Sequence, residues 1–525
     1  MPLNIQKIEL YDTTLRDGAG AEGISFSAAD KLAILQILSE LGIDMIEGGI
    51  PSSNPKDAEF FIKAAATGYG TRLTAFSSTK KYGSAPENDS SLSGLLDAKT
   101  ETVCIFGKCG AEHARAVLNI SGEENLSIIG DSVRFLKAHG KSVIFDAEHF
   151  FDAFRIDKKY ALAALKAAAV QGAERLVLCD TNGGSFPEDI ARATAAAVKA
   201  FPDKIIGIHC HDDTGLAVAN SIAAVQAGAR HVQGTLIGFG ERCGNANLAV
   251  IAANLQLKLG FALNIKLTAL TWSARRIAEI ANIPLAGDMP YVGRAAFSHK
   301  AGMHSDGVLK SPFSFEHVPP ETVGNDRRIL LSEISGRAAV AEKLNALLPG
   351  IKKDSPVAAA VLAAVKTAEN AGYQFEGAEA SFLLLAASVA ENRERVIRVV
   401  AADVDTDLNE RMSRAKLVLE ARGAAAAGSA DGNGPVNALD TALRSALGGI
   451  VPEINSVSLT DYKVRVIDSG SATAAFVRVL ITSSDGDDTW STIGVSTDII
   501  EASKIALLDS FEYFLLQTER KNKIK

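Results

Sequence analysis

Eight short β-rich runs alternate with helical stretches over roughly the first 250 residues, and no other feature of the chain restricts its fold as strongly. The runs are KIELYDTTL (7–15), MIEGGIP (45–51), RLTAFSS (72–78), ETVCIFG (101–107), SVIFDAEHF (142–150), ERLVLCDT (174–181), KIIGIHCH (204–211) and HVQGTLIGF (231–239). Amphipathic or alanine-rich segments such as 27–42 and 157–173 fill most of the gaps. The third gap, KKYGSAPENDSSL (80–92), is polar and reads as a loop. Eight βα repeats are the count of a (β/α)8 TIM barrel. An open doubly wound sheet is the competing α/β solution, but the glycine-rich phosphate turn that usually follows its first strand is absent.

A barrel carries its chemistry at the C-terminal ends of its strands. Run one ends near Arg16 and Asp17, run five near Glu148, run six at Asp180 and Thr181, and run seven at His209 and His211. The loop GFGERCGNAN (238–247) after run eight holds Glu241, Arg242 and Asn245. In an extended strand, residues i and i+2 share a face, so His209 and His211 stand together with Cys210 turned away. A bare His-x-His pair does not establish a metal site. The convergence of polar residues from five strand ends raises that reading well above a chance pair. Asp17, His209 and His211 offer one carboxylate oxygen and two imidazole nitrogens, and Asn245 can add an amide oxygen. Such a mixed set suits a divalent metal, Mg2+, Mn2+ or Zn2+, without choosing among them. It would chelate a 2-oxo acid, and Arg16 could stabilise charge developing on the ketone oxygen.

The length of 525 residues exceeds one core, so several domains are expected. The pattern divides into a catalytic barrel over 1–265, linker subdomains over 266–432 and a C-terminal domain over 433–525. Residues 355–420 read as helical and then strand-like, and RGAAAAGSADGNGP (422–435) reads as a small-residue linker. Beyond it come a helix (436–447), three β runs (454–467, 472–483, 488–495) and a final helix (498–517), an α+β block of βββα type. The net charge of −8 gives no support for binding nucleic acid or an anionic membrane. No apolar run reaches spanning length, and the five cysteines (104, 109, 179, 210, 243) form no CxxC. A cytoplasmic protein with reduced thiols is expected.

LRDGAG followed by Lys31 (15–31) and HCHDDTGLAVA (209–219) resemble the two signature stretches of the 2-isopropylmalate, homocitrate and citramalate synthases. GFGERCGN, FSHKAGMHSDG (297–307) and GNGPVNALDTAL (432–443) resemble this family too, and DAEHFFDAF and VGNDRR are closest to its citramalate synthase branch. The resemblance implies a Claisen-type condensation in which the acetyl-CoA co-substrate loses a methyl proton, attacks a 2-oxo acid and releases CoA on hydrolysis. It implies Asp17, His209, His211 and Asn245 as ligands or near-ligands of the metal, and Arg16 as the charge-stabilising arginine. It further implies that Glu148 and Thr181 line the 2-oxo acid and that His304 is the general base, with Glu241 as its orienting partner. His149 and His299 keep structural roles, and Cys243 is a small spacer. The acceptor implied is pyruvate, giving (R)-citramalate on a threonine-independent route to isoleucine. The βββα tail implies a homodimer whose C-terminal domains bind a branched-chain amino acid, isoleucine, at their interface.

Two departures stand out. Gly20 occupies the place of a usual Gln, and Phe315 that of a frequent Tyr. A 2-isopropylmalate or homocitrate synthase with a larger acceptor is the near alternative, although no cation for the distal carboxylate of 2-oxoglutarate is identified. A metal-dependent aldolase or lyase on the same barrel would share Asp17 and the His pair but has less use for His304 and the tail. A decayed amino-acid sensor would not keep all four candidate ligands.

Overall fold

The computed structural model describes residues 7–69, 73–300, 302–330, 337–345, 350–409, 411–467, 474–486 and 488–524. It separates into two compact units. One comprises 7–297 with 318–326 and the other 298–317 with 327–524.

The first unit is a closed parallel barrel: β1 (Glu9–Asp12), β2 (Met45–Gly49), β3 (Leu73–Ser78), β4 (Thr102–Lys108), β5 (Ser142–Glu148), β6 (Arg175–Asp180), β7 (Ile205–Cys210) and β8 (His231–Gly234), with β8 pairing back to β1. The strands are apolar along most of their length because side chains on both faces are buried. One face enters the barrel, where Tyr11, Phe76, Cys104, Ile144, Val177 and Cys179 form an inner layer. The other packs against the surrounding helices in the main core, which includes Cys210, so it does turn away from His209. Local chemistry starts the helices. Ser27 and Asp30 form a reciprocal capping box before helix Ala28–Leu41, which ends at Gly42 with φ 99°. Ser121 and Glu124 repeat the device before Gly122–Ala138.

The third gap contains more structure than its polarity suggests. Asp89 accepts from the backbone N–H groups of Ser91 and Leu92 and caps a helix, Ser90–Asp97, that buries Leu92 and Leu95. The barrel unit also extends past 265, since helix Leu270–Ile280 buries Leu270, Ala274 and Ile277 in the same core. Strands one and eight are shorter than their β-rich runs, so Asp17 lies in a turn after β1.

The second unit begins with a two-residue parallel pairing of Ser298–His299 with Arg328–Ile329. Helices Gly302–Lys310, Arg337–Asn345, Pro356–Asn370 and Glu379–Glu391 follow, around Val308, Leu344, Val361, Val365 and Phe382. The linker expected at 422–435 is absent. Ala424–Gly432 is instead the third strand of an antiparallel sheet with Ile397–Asp407 and Met412–Ala421. Its alanines and glycines are small because helix Pro435–Leu447 lies directly on it: a Cβ at Gly428 would come within 2.2 Å of Ala442 O. A second sheet, Ser458–Val466, Val477–Ser484 and Thr489–Ser496, is followed by helix Ile499–Ile524, and the two sheets share one core. The C-terminal region is therefore two βββα modules, and the boundary expected at 432/433 cuts between a strand and the helix that covers it. The first residues of the run expected at 472–483 lie outside the described residues.

Candidate metal and active site

The turn after β1 is tied by Gly18, whose N–H donates to Thr13 O at 3.1 Å. A Cβ on Gly18 would lie 2.5 Å from the Phe239 ring, so only glycine lets this turn approach the loop after β8. That loop folds back on β7. Asn245 N–H donates to Gly238 O (2.9 Å), Ala246 N–H donates to Cys210 O (2.9 Å), and Asn245 forms an antiparallel bridge with His211. Gly240 is required here too, because a Cβ would lie 2.1 Å from Asn245 Nδ2.

These constraints bring one donor atom each from Asp17, His209 and His211 within 4.8 Å of one another, with all three residues buried. His209 Nε2 is 3.3 Å from Asp17 Oδ2 and 3.4 Å from His211 Nε2. Burial alone would raise the Asp17 carboxyl, but Arg16 and His209 outweigh it and hold it well below the usual carboxylate range. Burial opposes charge on His209, yet its hydrogen bond and attraction to Asp17 raise it. His211 is pushed down to about 4 by burial and the neighbouring His209. Neutral imidazole beside carboxylate is the state that donates lone pairs to a cation. His211 Nδ1 and both amide atoms of Asn245 are buried and make no hydrogen bond. Unsatisfied donors and acceptors are costly in a core and fit a site that binds a ligand. The residues present therefore fit a divalent cation, which Asp17, His209 and His211 could hold and to which Asn245 could add an oxygen.

Arg16 is set by three groups. Its Nη1 pairs with Asp17 Oδ1 (2.8 Å), its Nε donates to Glu47 Oε1 (2.6 Å), and its guanidinium lies 4.0 Å over the Phe76 ring. Glu47 was not a sequence candidate. It is fully buried, and Tyr11 Oη donates to its other oxygen at 2.9 Å. Burial raises the Glu47 carboxyl to about 7 against the pull of Arg16, with Asp146 adding to the rise. Its signal was an acid within an otherwise apolar buried strand, and Asp146 carries the same signal on β5. Phe106 stacks on Phe76 at 5.4 Å.

Glu148 ends β5 in an ion pair with Lys108 of β4 (2.5 Å). Thr181 Oγ1 accepts from His149 N–H (2.9 Å), holding His149 at φ 57°. Thr181 O accepts from Arg242, which also pairs doubly with Asp213 at 2.8 and 3.0 Å. Glu241 has a side chain 62% exposed, 3.6 Å from Arg242 Nη1. A Cβ on Gly20 would lie 3.0 Å from Glu241 Cγ, so part of the space a longer residue would use is taken by Glu241. Cys243 is exposed and free.

His304 belongs to the second unit. It is exposed on helix Gly302–Lys310 and stacks on Phe315 at 4.3 Å and 29°. Gly307 makes room for that ring, since its Cβ would lie 2.4 Å from Phe315 Cε2. His299 is in a structural clamp: Nε2 is 3.1 Å from Glu316 Oε1, and Arg327 donates twice to the same carboxylate at 2.7 and 2.6 Å.

Three family descriptions match successive parts of the chain: HMGL-like over 7–277, homocitrate synthase post-HMGL domain-like over 291–372, and LeuA allosteric (dimerisation) domain over 376–515. The (R)-citramalate synthase of Synechocystis sp. is 45% identical and covers 96% of each chain. That of Aquifex aeolicus is 44% identical, covering 98% of this chain and 99% of its own. The chain belongs to the HMGL-like family, on its citramalate synthase branch. The 2-isopropylmalate synthase of Sulfolobus acidocaldarius is more distant, 35% identical over 73% of this chain and 96% of its own. Among solved structures, the hydroxymethylglutaryl-CoA lyase of Pseudomonas aeruginosa aligns at 20% identity and TM-score 0.47, over 55% of this chain and 96% of that one. The LeuA match begins before Ile397, in keeping with two βββα modules rather than one. Among the described residues, no helix is long and apolar enough to cross a membrane.

Proposed function

We propose that this protein condenses acetyl-CoA with pyruvate and hydrolyses the CoA thioester to give (R)-citramalate. The observation that carries the reading is the buried Asp17–His209–His211 cluster beside Arg16, in a chain similar over nearly its whole length to (R)-citramalate synthases. A divalent cation bound there would polarise the ketone of the 2-oxo acid. Arg16, already aimed by Glu47 and Phe76, faces the charge that develops on that oxygen. Glu148 and Thr181, at the ends of β5 and β6, position the acceptor. This reading assigns the acetyl methyl proton to His304, because imidazole is the side chain best suited to proton transfer near neutral pH. In this reading the Phe76–Phe106 stack, with Phe76 under the Arg16 guanidinium, is the wall that limits the size of the acceptor.

The LeuA match supports pairing of the C-terminal modules in a homodimer. The outer strands of both sheets expose Val400, Val464 and Val466, apolar surface that such pairing would cover. We assign the effector at that interface as isoleucine and the compartment as the cytoplasm. The direct test is free-thiol release with Mg2+ or Mn2+, offering pyruvate, 2-oxoisovalerate and 2-oxoglutarate in parallel, with and without isoleucine. Preference for pyruvate supports the reading. Preference for a larger acceptor moves the protein to a sister activity, and no thiol release with any of them overturns it.

A further inference from the structure

Gln233, on β8 inside the barrel, is completely buried and touches three polar groups. Its Oε1 is 3.1 Å from His209 Nδ1. Its Nε2 is 3.0 Å from Asp146 Oδ1 and 3.4 Å from His231 Nε2. The hydrogen-bond chemistry of these partners fixes which way each one faces. At the N-terminal end of the barrel, Arg175 donates twice to Glu9, at 2.7 and 2.8 Å. His231 Nδ1 lies 3.3 Å from the same Glu9 carboxylate, which only accepts, so the Nδ1 of His231 carries a proton. The Asp146 carboxylate is an acceptor, and His231 Nε2 lies on the same side of Gln233 as it does. Both face the same atom of Gln233, which must be the amide nitrogen with its two hydrogens. The amide oxygen therefore points at His209 Nδ1 and accepts from it, leaving the His209 Nε2 lone pair on the side of Asp17 and His211.

We propose that Gln233 is a positioning residue that holds His209 in the Nδ1–H tautomer, and that the Arg175–Glu9–His231 cluster at the opposite end of the barrel sets the orientation of Gln233. The site thus has a polar relay from the first residue of β1 to the candidate metal ligand on β7. Gly207 is part of the design. It is two residues before His209 on β7, and a Cβ there would lie 2.9 Å from both His231 Cδ2 and Val177 Cγ2, so only glycine leaves room for the imidazole. A metal-bound histidine whose other nitrogen is held by a hydrogen bond keeps its tautomer and ring angle, and loss of such a partner typically weakens metal affinity roughly 10- to 100-fold. The inference rests on the metal reading of Asp17, His209 and His211.

The test uses the full-length protein stripped of metal and titrated with Mn2+ by calorimetry, with circular dichroism to confirm folding. The parent must bind Mn2+; if it does not, the metal reading itself fails. Given binding by the parent, Gln233→Leu should weaken Mn2+ affinity at least tenfold. Glu9→Gln, which leaves every residue of the metal cluster in place, should weaken it roughly two- to fivefold by loosening the orientation of Gln233. Ring 15N–1H correlations of histidine-labelled, Mg2+-bound parent should show His209 protonated at Nδ1 only. This measurement needs no variant to fold. Parental Mn2+ affinity in a folded Gln233→Leu protein, or a parental His209 protonated at Nε2, overturns the proposal. An effect of Gln233→Leu with none from Glu9→Gln overturns the long-range part.

Discussion

Gly240→Ala isolates the part played by Asn245. A Cβ at Gly240 would sit 2.1 Å from Asn245 Nδ2 and 3.2 Å from its Cγ. Ordinary contact is about 3.5 Å, so the side chain must move by more than about 1 Å. Gly240 is not among the residues with left-handed φ, so alanine takes its backbone without strain and the clash is the whole perturbation. The backbone of Asn245 is held by Gly238 O, and Ala246 N–H holds Cys210 O, so the side chain rather than the chain should yield. Overpacking of this size costs about 1–3 kcal/mol. Metal–ligand distances tolerate about 0.2 Å, so Asn245 would leave any shared cation, and Mn2+ affinity should fall roughly tenfold or more. Asn245→Ala should weaken Mn2+ binding equally while costing the metal-free protein little, because both amide atoms are buried without hydrogen-bond partners. In the Asn245→Ala background the alanine at 240 has room, and its stability cost should shrink to about 0.5 kcal/mol or less. Urea unfolding of the four metal-free proteins gives the cycle, and calorimetry gives the affinities. Additive stability costs, or parental Mn2+ binding by Gly240→Ala beside weakened binding by Asn245→Ala, would refute the reasoning.

Further outcomes follow from the same geometry. Asp17→Asn should abolish measurable Mn2+ binding at concentrations that saturate the parent, since it removes the only carboxylate of the cluster; tight binding by this variant would exclude Asp17 as a ligand. Glu9 is held down to about 2 in the folded state, against an ordinary value of 4.5, by its hydrogen bonds to His231 and Arg175 despite the opposing effect of burial. Because the folded value is the lower one, the stability Glu9 supplies is complete above about pH 4.5 and is lost as pH falls toward 2. After discounting for solvent screening this is about 2 kcal/mol, and Glu9→Gln should flatten the acid limb of the unfolding free energy; an unchanged limb would count against it. Deleting 433–525 should give an aggregating protein rather than a deregulated one, because it strips helix Pro435–Leu447 from Leu417 and Leu419. A soluble, cooperatively folding 1–432 fragment would contradict that packing. Gly428→Val should lower the unfolding temperature of the C-terminal unit while leaving Mn2+ affinity unchanged, since the intruding side chain meets Ala442 O and Ala446. A weakened Mn2+ affinity would count against this reading.

The sequence by itself determined the barrel, because a strand buried on both faces must be apolar and a crossover helix must be amphipathic, and both constraints are written in local order. It also singled out Arg16, Asp17, His209 and His211, which the structure brings together, since strand alternation puts the two imidazoles on one face whatever surrounds them. Sequence could not show the third strand of the first C-terminal sheet. AAAAGSADG has the composition of a linker, and its small residues make sense only once helix Pro435–Leu447 is seen lying against Gly428. Nor could it show that Glu47 aims Arg16 or that Gln233 holds His209. Those pairs are 31 and 24 residues apart, and the closure of β8 onto β1, which joins Glu9 to His231, spans 222. Local pattern determines which face a side chain takes. The partner it meets there is decided by the closing of the barrel, because buried donors and acceptors are satisfied across strands rather than along them.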